Sequence, residues 1–310
     1  MRSFGLAAIL ATAMLGSACV ERADAQAPPT ADAESATTSP EGGPYVLKDT
    51  QVWTVPDPVS GRDYEVFVSL PASYGAEPQR RYPTLYVTDA DYGFPILRQI
   101  ARRVNLDGPV LEEFILVGLS YAKNEGGAAS RSRDYTPVPC NPPSSCARVH
   151  GGGDAYQAYL KSEVLPFIEG RFRADPAARV LLGHSYGGLL GAQILFTDPE
   201  MFQAYVLGSP SFWFGQRHIM KMEVDYAQSH TDLPAEVFMY IGAFETLGPT
   251  PRHASRYDMV GEMQAMEQVL KSRHYPSLSL RSTVLDDEDH LTVAPAGFTR
   301  ALLAVLPAEP

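Results

Sequence analysis

Val180-Leu181-Leu182-Gly183-His184-Ser185-Tyr186-Gly187-Gly188 is the stretch on which the fold turns. Three apolar residues make a short buried strand. The next residues spell G-x-S-x-G, and a run rich in Leu, Ala and Ile follows to about residue 197. In that context the serine sits on a strained strand-to-helix turn that projects its Oγ beyond the sheet. The flanking glycines let neighbouring backbone approach closely. The same turn places Ser185 at a helix N-terminus, where free N–H groups favour developing negative charge. A bare G-x-S-x-G is common by chance, and the strand before it and the helix after it give it meaning. The alternative is a tight glycine turn carrying an idle serine.

Outward from this turn, short apolar strands alternate with helical periods. Strands are expected at Thr84–Val87, Phe114–Leu119, Val180–Leu182, Ala204–Leu207, Val237–Ile241 and Leu278–Leu285. Helices are expected over 154–170, 186–197, 258–272 and near 296–305, with Pro166 interrupting the first. Met259, Met263, Met266 and Leu270 form a stripe that reads as core packing rather than a ligand surface. Before the alternation, Tyr64, Val66, Val68 and Leu70 have the period of a half-buried strand. The turn cluster Asp57-Pro58-Val59-Ser60-Gly61 makes that region a hairpin. The expected fold is therefore α/β: a mostly parallel central sheet with an N-terminal antiparallel hairpin and helices on both faces.

A serine alone is a poor nucleophile and needs a base. On this kind of turn the acid follows the serine and the histidine comes last. His218, His230, His253, His274 and His290 lie downstream, and His290 follows the final strand at Asp286-Asp287-Glu288-Asp289-His290. That place makes His290 the candidate base. His184 reads as structural. The acidic run could hold a hard cation, but it lacks EF-hand spacing and glycine, so a solvated loop is the better reading and no metal is expected. Glu245, just after the strand Val237–Ile241, is the first candidate acid, to orient His290. Asp258 is the runner-up, and a Ser–His dyad without an acid stays open. An oxyanion hole needs two N–H donors. One is Tyr186. The other is Asp91, with Ala90 second, in the loop Thr88-Asp89-Ala90-Asp91-Tyr92.

Composition sets the outer bounds. Across 310 residues, 25 Lys+Arg stand against 36 Asp+Glu, for a net charge of −11, which argues against a nucleic-acid-binding surface. The 45% hydrophobic content suits a globular chain. Arg2 precedes an apolar run from Phe4 to Leu15, too short to span a bilayer and fitting a secretory signal. Residues 1–25 are then a signal peptide ending at Ala23-Asp24-Ala25. Alternatively residues 1–18 end at a lipoprotein-like signal whose Cys19 is lipidated, the one route by which membrane anchoring is expected. Residues 26–44 lack aromatics, Leu, Ile and Val and read as a flexible linker. Residues 45–310 form the expected domain. The localisation expected is exported: periplasmic, secreted or lipid-anchored. Export leaves Cys140 and Cys146 as a candidate disulfide in an oxidising compartment, two free thiols being the alternative.

Several stretches coincide with one family. They are Leu85-Tyr86-Val87-Thr88-Asp89-Ala90-Asp91, Arg131-Ser132-Arg133-Asp134-Tyr135-Thr136-Pro137, Gly152-Gly153-Asp154 with Leu165-Pro166-Phe167-Ile168, Ser209-Pro210-Ser211-Phe212-Trp213, and Asp289-His290. With these the chain resembles the α/β-hydrolase branch that contains bacterial siderophore (ferric enterobactin-type) esterases, over about residues 45–305. The resemblance implies an α/β-hydrolase fold, hydrolysis of small-molecule carboxylic esters through an acyl-enzyme on Ser185, and no cofactor. It implies that Arg131 or Arg133 lines the cleft and holds an acidic or catecholate substrate. A loop-shaping pair with Asp134 is the competing reading. It also implies that Trp213 walls the acyl pocket, against ordinary core packing. Ala90, where glycine is common, and the Cys140–Cys146 insert depart from the pattern and put substrate identity in doubt. The wider family includes acetyl- and feruloyl-esterases and acyltransferases, so those remain alternatives, as does a silent binding protein on the same scaffold.

Overall fold

The computed structural model describes residues 43–252 and 256–308. The chain divides into two units, Met1–Val46 and Leu47–Pro310. Of the first, only residues 43–46 are described, and they carry no regular structure. The signal and Cys19 readings, and nearly all of the linker reading, fall outside the described residues.

Among the described residues of the second unit, eight strands run β1 (Thr50–Asp57), β2 (Arg62–Ser69), β3 (Tyr82–Thr88), β4 (Ile115–Ala122), β5 (Ala174–His184), β6 (Ala204–Gly208), β7 (Glu236–Gly242) and β8 (Ser279–Leu285). The helices are α1 (Ala90–Val104), α2 (Gly127–Asp134), α3 (Gly153–Tyr159), α4 (Leu165–Arg171), α5 (Tyr186–Thr197), α6 (Phe214–Ser229), α7 (Met259–Arg273) and α8 (Val293–Val305). One sheet holds all eight strands in the order β1-β2-β4-β3-β5-β6-β7-β8. Strands β3 to β8 are mutually parallel; β2 is antiparallel to both β1 and β4. The hairpin turn closes where expected, with Gly61 N–H donating to the Asp57 carbonyl at 2.8 Å.

Alternation along the strands feeds two cores. Leu181, Tyr205, Leu207, Val237 and Met239 face one side and pack with α3 to α7. Val180, Leu182, Val206, Phe238 and Tyr240 face the other and pack with α1 and α8. The inner strands β3, β4, β6 and β7 are buried on both faces, which is why they read as near-continuous apolar runs, whereas the edge strands β1 and β8 are half exposed. Helix α5 is buried along nearly its whole length, so it lacks the polar face of an ordinary surface helix. The methionine stripe of α7 is in the core, with Met263, Met266 and Leu270 each about 1% exposed.

Three sequence expectations need correction. The helix expected over 154–170 is α3, then a π-helical segment Leu160–Val164, then α4. Pro166 has no N–H to give and its ring crowds the preceding turn; the Leu165 N–H reaches the Leu160 carbonyl, the wider i to i+5 spacing that relieves this crowding. Strand β5 begins at Ala174, six residues earlier than expected, with a break in register between Tyr82 and Thr84 of its partner. Asp175-Pro176-Ala177-Ala178-Arg179, with a proline and no large apolar residue, hid its first half. The segment Thr88–Tyr92, read as a loop, is mostly helix: Asp89 takes a left-handed φ of 51° and α1 starts at Ala90.

Candidate active site

Ser185 joins β5 to α5 with φ 61° and ψ −118°, a strained conformation for a non-glycine residue. Its N–H donates to the Gly208 carbonyl at 2.9 Å, and its carbonyl accepts from Leu189 and Ser211. Sharpness requires both glycines of the motif. A Cβ on Gly183 would stand 2.1 Å from the Gly187 carbonyl oxygen, and one on Gly187 would stand 2.1 Å from Thr88 Oγ1.

Ser185 lines a cleft of about 580 Å³ together with Tyr186, Glu245, His290, Arg131 and Trp213. His290 comes five residues after β8, where its loop is tied to neighbours at several points. Asp289 Oδ1 accepts from the Leu291 and Thr292 N–H groups at 2.8 and 3.1 Å, and Thr292 Oγ1 accepts from Asp289 N–H. The acidic run thus supplies a turn cap beside the histidine. Phe244 N–H donates to the Glu288 carbonyl at 3.0 Å, which joins this loop to the one after β7.

Glu245 is buried, 2% exposed. Its Oε2 lies 2.6 Å from His290 Nδ1. Its Oε1 accepts from Ser209 Oγ at 2.6 Å and Gly242 N–H at 2.9 Å. Burial alone would push its carboxyl up; the hydrogen bonds from His290, Ser209 and Gly242 outweigh it and hold the carboxyl below the usual range. A carboxylate at Nδ1 fixes the tautomer that leaves Nε2 free to take a proton. Asp258, the runner-up, is a helix cap: it accepts from Gly261 N–H at 3.0 Å and Thr246 Oγ1 at 3.2 Å. His230 is stacked on Tyr226, centroids 4.0 Å apart, and His274 ends α7.

The other expected residues divide. Tyr186, Ala90 and Asp91 all stand in first helical turns, where N–H groups have no intrahelical acceptor. Asp91 turns its carboxylate to Ser120 Oγ at 2.7 Å. Arg131 reaches the cleft, gripped two-pronged by Asp89 at 2.9 and 3.1 Å and lying over the Tyr186 ring. Burial opposes its charge, but Asp89 outweighs it and keeps the guanidinium firmly protonated. Arg133 does not line the cleft. It bonds Asp134, Glu125 and Tyr64 instead, so the loop-shaping reading replaces the substrate reading for this residue. Trp213 does line the cleft, stacked flat on Tyr257 at 3.8 Å. Cys140 and Cys146 are disulfide-bonded. Their sulfurs lie near His150, but a disulfide leaves no thiolate for a metal.

Sequence reasoning missed four contributors. Ser211 Oγ lies 3.5 Å from Ser185 Oγ, Ser209 anchors Glu245, and Tyr257 and Phe244 add aromatic wall. Ser209 and Ser211 were within a quoted motif. Tyr257 follows a stretch with no periodic signal and could not have been found.

The strand order, the serine turn and the buried acid–histidine pair define an α/β hydrolase. The chain belongs to the family described as "Putative esterase", whose model matches residues 58–276. It is 27% identical over 272 residues to the ferri-bacillibactin esterase BesA of Bacillus subtilis, covering 83% of this chain and 90% of that one. It is 27% identical over 263 residues to the siderophore triacetylfusarinine C esterase of Aspergillus fumigatus, covering 78% and 88%. Among solved structures, the siderophore hydrolase EstB of Aspergillus nidulans superposes with a TM-score of 0.72 at 24% identity, covering 85% of this chain and 97% of that one. Family membership makes this chain a hydrolase acting on esters.

Proposed function

We propose that this chain is an exported serine esterase that hydrolyses carboxylic esters of the siderophore type through an acyl-enzyme on Ser185. The observation that carries the reading is the 2.6 Å pair of His290 Nδ1 with buried Glu245, in the same cleft as the strained Ser185. Ser185 Oγ attacks the ester carbonyl as its proton passes to His290 Nε2. Negative charge on the carbonyl oxygen is met by the Tyr186 N–H and by a first-turn N–H of α1, Asp91 or Ala90. Collapse breaks the ester C–O bond, and His290 returns the proton to the leaving alkoxide. Water, deprotonated by His290, then splits the acyl-enzyme by the same route and restores Ser185.

Arg131, positive and facing the cleft, supports an acidic or catecholate group on the substrate. The siderophore esters named for the relatives motivate a trilactone as first substrate to try. Export rests on Arg2, the apolar run Phe4–Leu15 and Ala23-Asp24-Ala25. The Cys140–Cys146 bond suits the oxidising compartment that export implies.

The test is a panel of p-nitrophenyl short-chain esters, feruloyl sugars and a catecholate trilactone, compared as kcat/KM, with an alcohol acceptor added in one arm. The trilactone is expected to lead the panel, with free acid rather than acylated alcohol as product. Ser185→Ala is expected to cut hydrolysis at least about 10⁴-fold. Undiminished hydrolysis by that variant would sink the mechanism.

A further inference from the structure

The residue before the nucleophile has its own hydrogen-bond chain, and the ester mechanism leaves it unused. His184 ends β5. Its Nε2 lies 3.0 Å from the main-chain carbonyl oxygen of His290. Its Nδ1 lies 3.4 Å from the hydroxyl of Tyr240 on β7. The two imidazole rings are 4.8 Å apart, tilted 39°. A carbonyl can only accept, so Nε2 carries the hydrogen. The Tyr240 hydroxyl then donates to a bare Nδ1.

The place of Tyr240 is built for it. A Cβ on Gly208 of β6 would fall 2.1 Å from the tyrosine hydroxyl oxygen, and one on Gly297 of α8 would fall 2.2 Å from its ring. Two elements thus give up side chains to seat one fully buried ring. The resulting line runs from Tyr240 through His184 to the carbonyl of His290. It ties β7, through the end of β5 that leads to the nucleophile, to the loop carrying the base.

We infer that His184 is a positioning residue for the ester reaction: as a neutral Nε2–H imidazole it holds the His290 main chain, and so the His290 ring, at a fixed place beside Ser185. Burial, with His290 adding to it, keeps the His184 imidazole uncharged down to about pH 3, so the donor and acceptor pattern persists across the working range. His184 touches neither substrate nor the reacting atoms in this role. The inference rests on the reading of Ser185 and His290 as nucleophile and base.

The test compares wild type, H184Q, H184L and Y240F on one p-nitrophenyl ester, beside S185A as the inactive reference. H184L loses the donor, and its kcat is expected to fall about tenfold with KM within twofold, the size of one hydrogen bond. H184Q keeps an N–H donor and is expected to recover to within about threefold of wild type. Y240F is expected to lower kcat about threefold, by freeing Nδ1 to compete for the hydrogen. Imidazole ¹⁵N shifts, assigned by their loss in H184Q, should report the neutral Nε2–H tautomer at pH 7 and again at pH 5. Full kcat in H184L, equal loss in H184Q and H184L, or a charged or Nδ1–H imidazole would overturn the inference. If H184L does not fold, wild-type tautomer and the H184Q rate decide it alone. An active wild type with inactive S185A and unimpaired H184L would defeat only this inference; an active S185A would defeat the reading beneath it.

Discussion

Two parts of the cleft are held by different means. Ser185, Glu245 and His290 stand at or just beyond the C-terminal ends of β5, β7 and β8, where main-chain hydrogen bonds and a buried carboxylate fix them. The segment from α2 to the disulfide loop, residues 127–150, relies on side chains: Arg131 on Asp89, Arg133 on Glu125 and Asp134, and the Cys140–Cys146 bond. From that loop His150 stacks on Phe214 at 5.3 Å and meets the edge of Tyr186, a cleft residue, at 6.1 Å. In the proposed mechanism the strand-tip part carries the groups whose displacement by an ångström would cost the reaction dearly. The α2 part brings Arg131 to the cleft, so its changes should register in KM or stability rather than in the chemical step.

The largest expected effect that separates the two parts is at Glu245. E245Q keeps the shape and removes the charge that orients His290, and kcat should fall about 10³-fold with little change in KM. The carboxyl of Glu245 is held below its ordinary range, so its support for the fold is present above the unfolded value and lost only as pH falls through the lower folded one. Wild type should therefore keep this contribution at pH 5, and E245Q should lack that acid-side dependence in denaturation measured against pH. A loss of tenfold or less in E245Q would favour a dyad in which the acid is dispensable.

Next come the paired arginines of α2. Two residues apart on a helix are turned by about 200° from one another, and Arg131 and Arg133 accordingly serve opposite ends. R131Q is expected to raise KM for a catecholate ester about tenfold while leaving KM for a neutral acetate ester nearly unchanged. R133Q is expected to leave both KM values alone. It leaves Asp134, 4% exposed, with the Ser130 and Tyr64 hydroxyls as donors but without its charged partner, its carboxyl already pushed up by burial, and should destabilise the fold by about 3 kcal/mol in urea titration. Swapped outcomes would mean that the two arginines have been assigned to the wrong ends.

The smallest effect is at the disulfide. The C140S/C146S double variant opens a bridge between residues six apart, and so short a loop constrains little chain entropy, about 2 kcal/mol. A slight fall in Tm with a KM change under threefold is expected, read by calorimetry and a single ester assay. A large loss of kcat would show that the loop reaches into the strand-tip part after all.

The same contrast explains what could be read from the sequence. The turn at 183–187 and the apolar runs of β3 to β7 announce themselves, because both faces of those strands are buried and the turn demands glycine. Glu245 and His290 follow from chain order along such a sheet, and the structure sets them 2.6 Å apart. Helix α1 was not legible because Asp89-Ala90-Asp91 reads as a turn and Pro95 sits inside the helix. The fates of Arg131 and Arg133 were undecidable from the sequence, since they depend on which way one turn of α2 faces. Tyr257 meets Trp213 only through tertiary packing, and nothing local foretells that.

The most direct measurement is the intact mass of the full chain after treatment with a fluorophosphonate, followed by peptide mapping, for wild type and S185A side by side. A serine activated by His290 should take up one phosphonyl group, mapped to Ser185, with hydrolysis lost in proportion, and S185A should take up none. An unlabelled wild type that still hydrolyses esters, or a label on any other residue, would contradict Ser185 as the nucleophile.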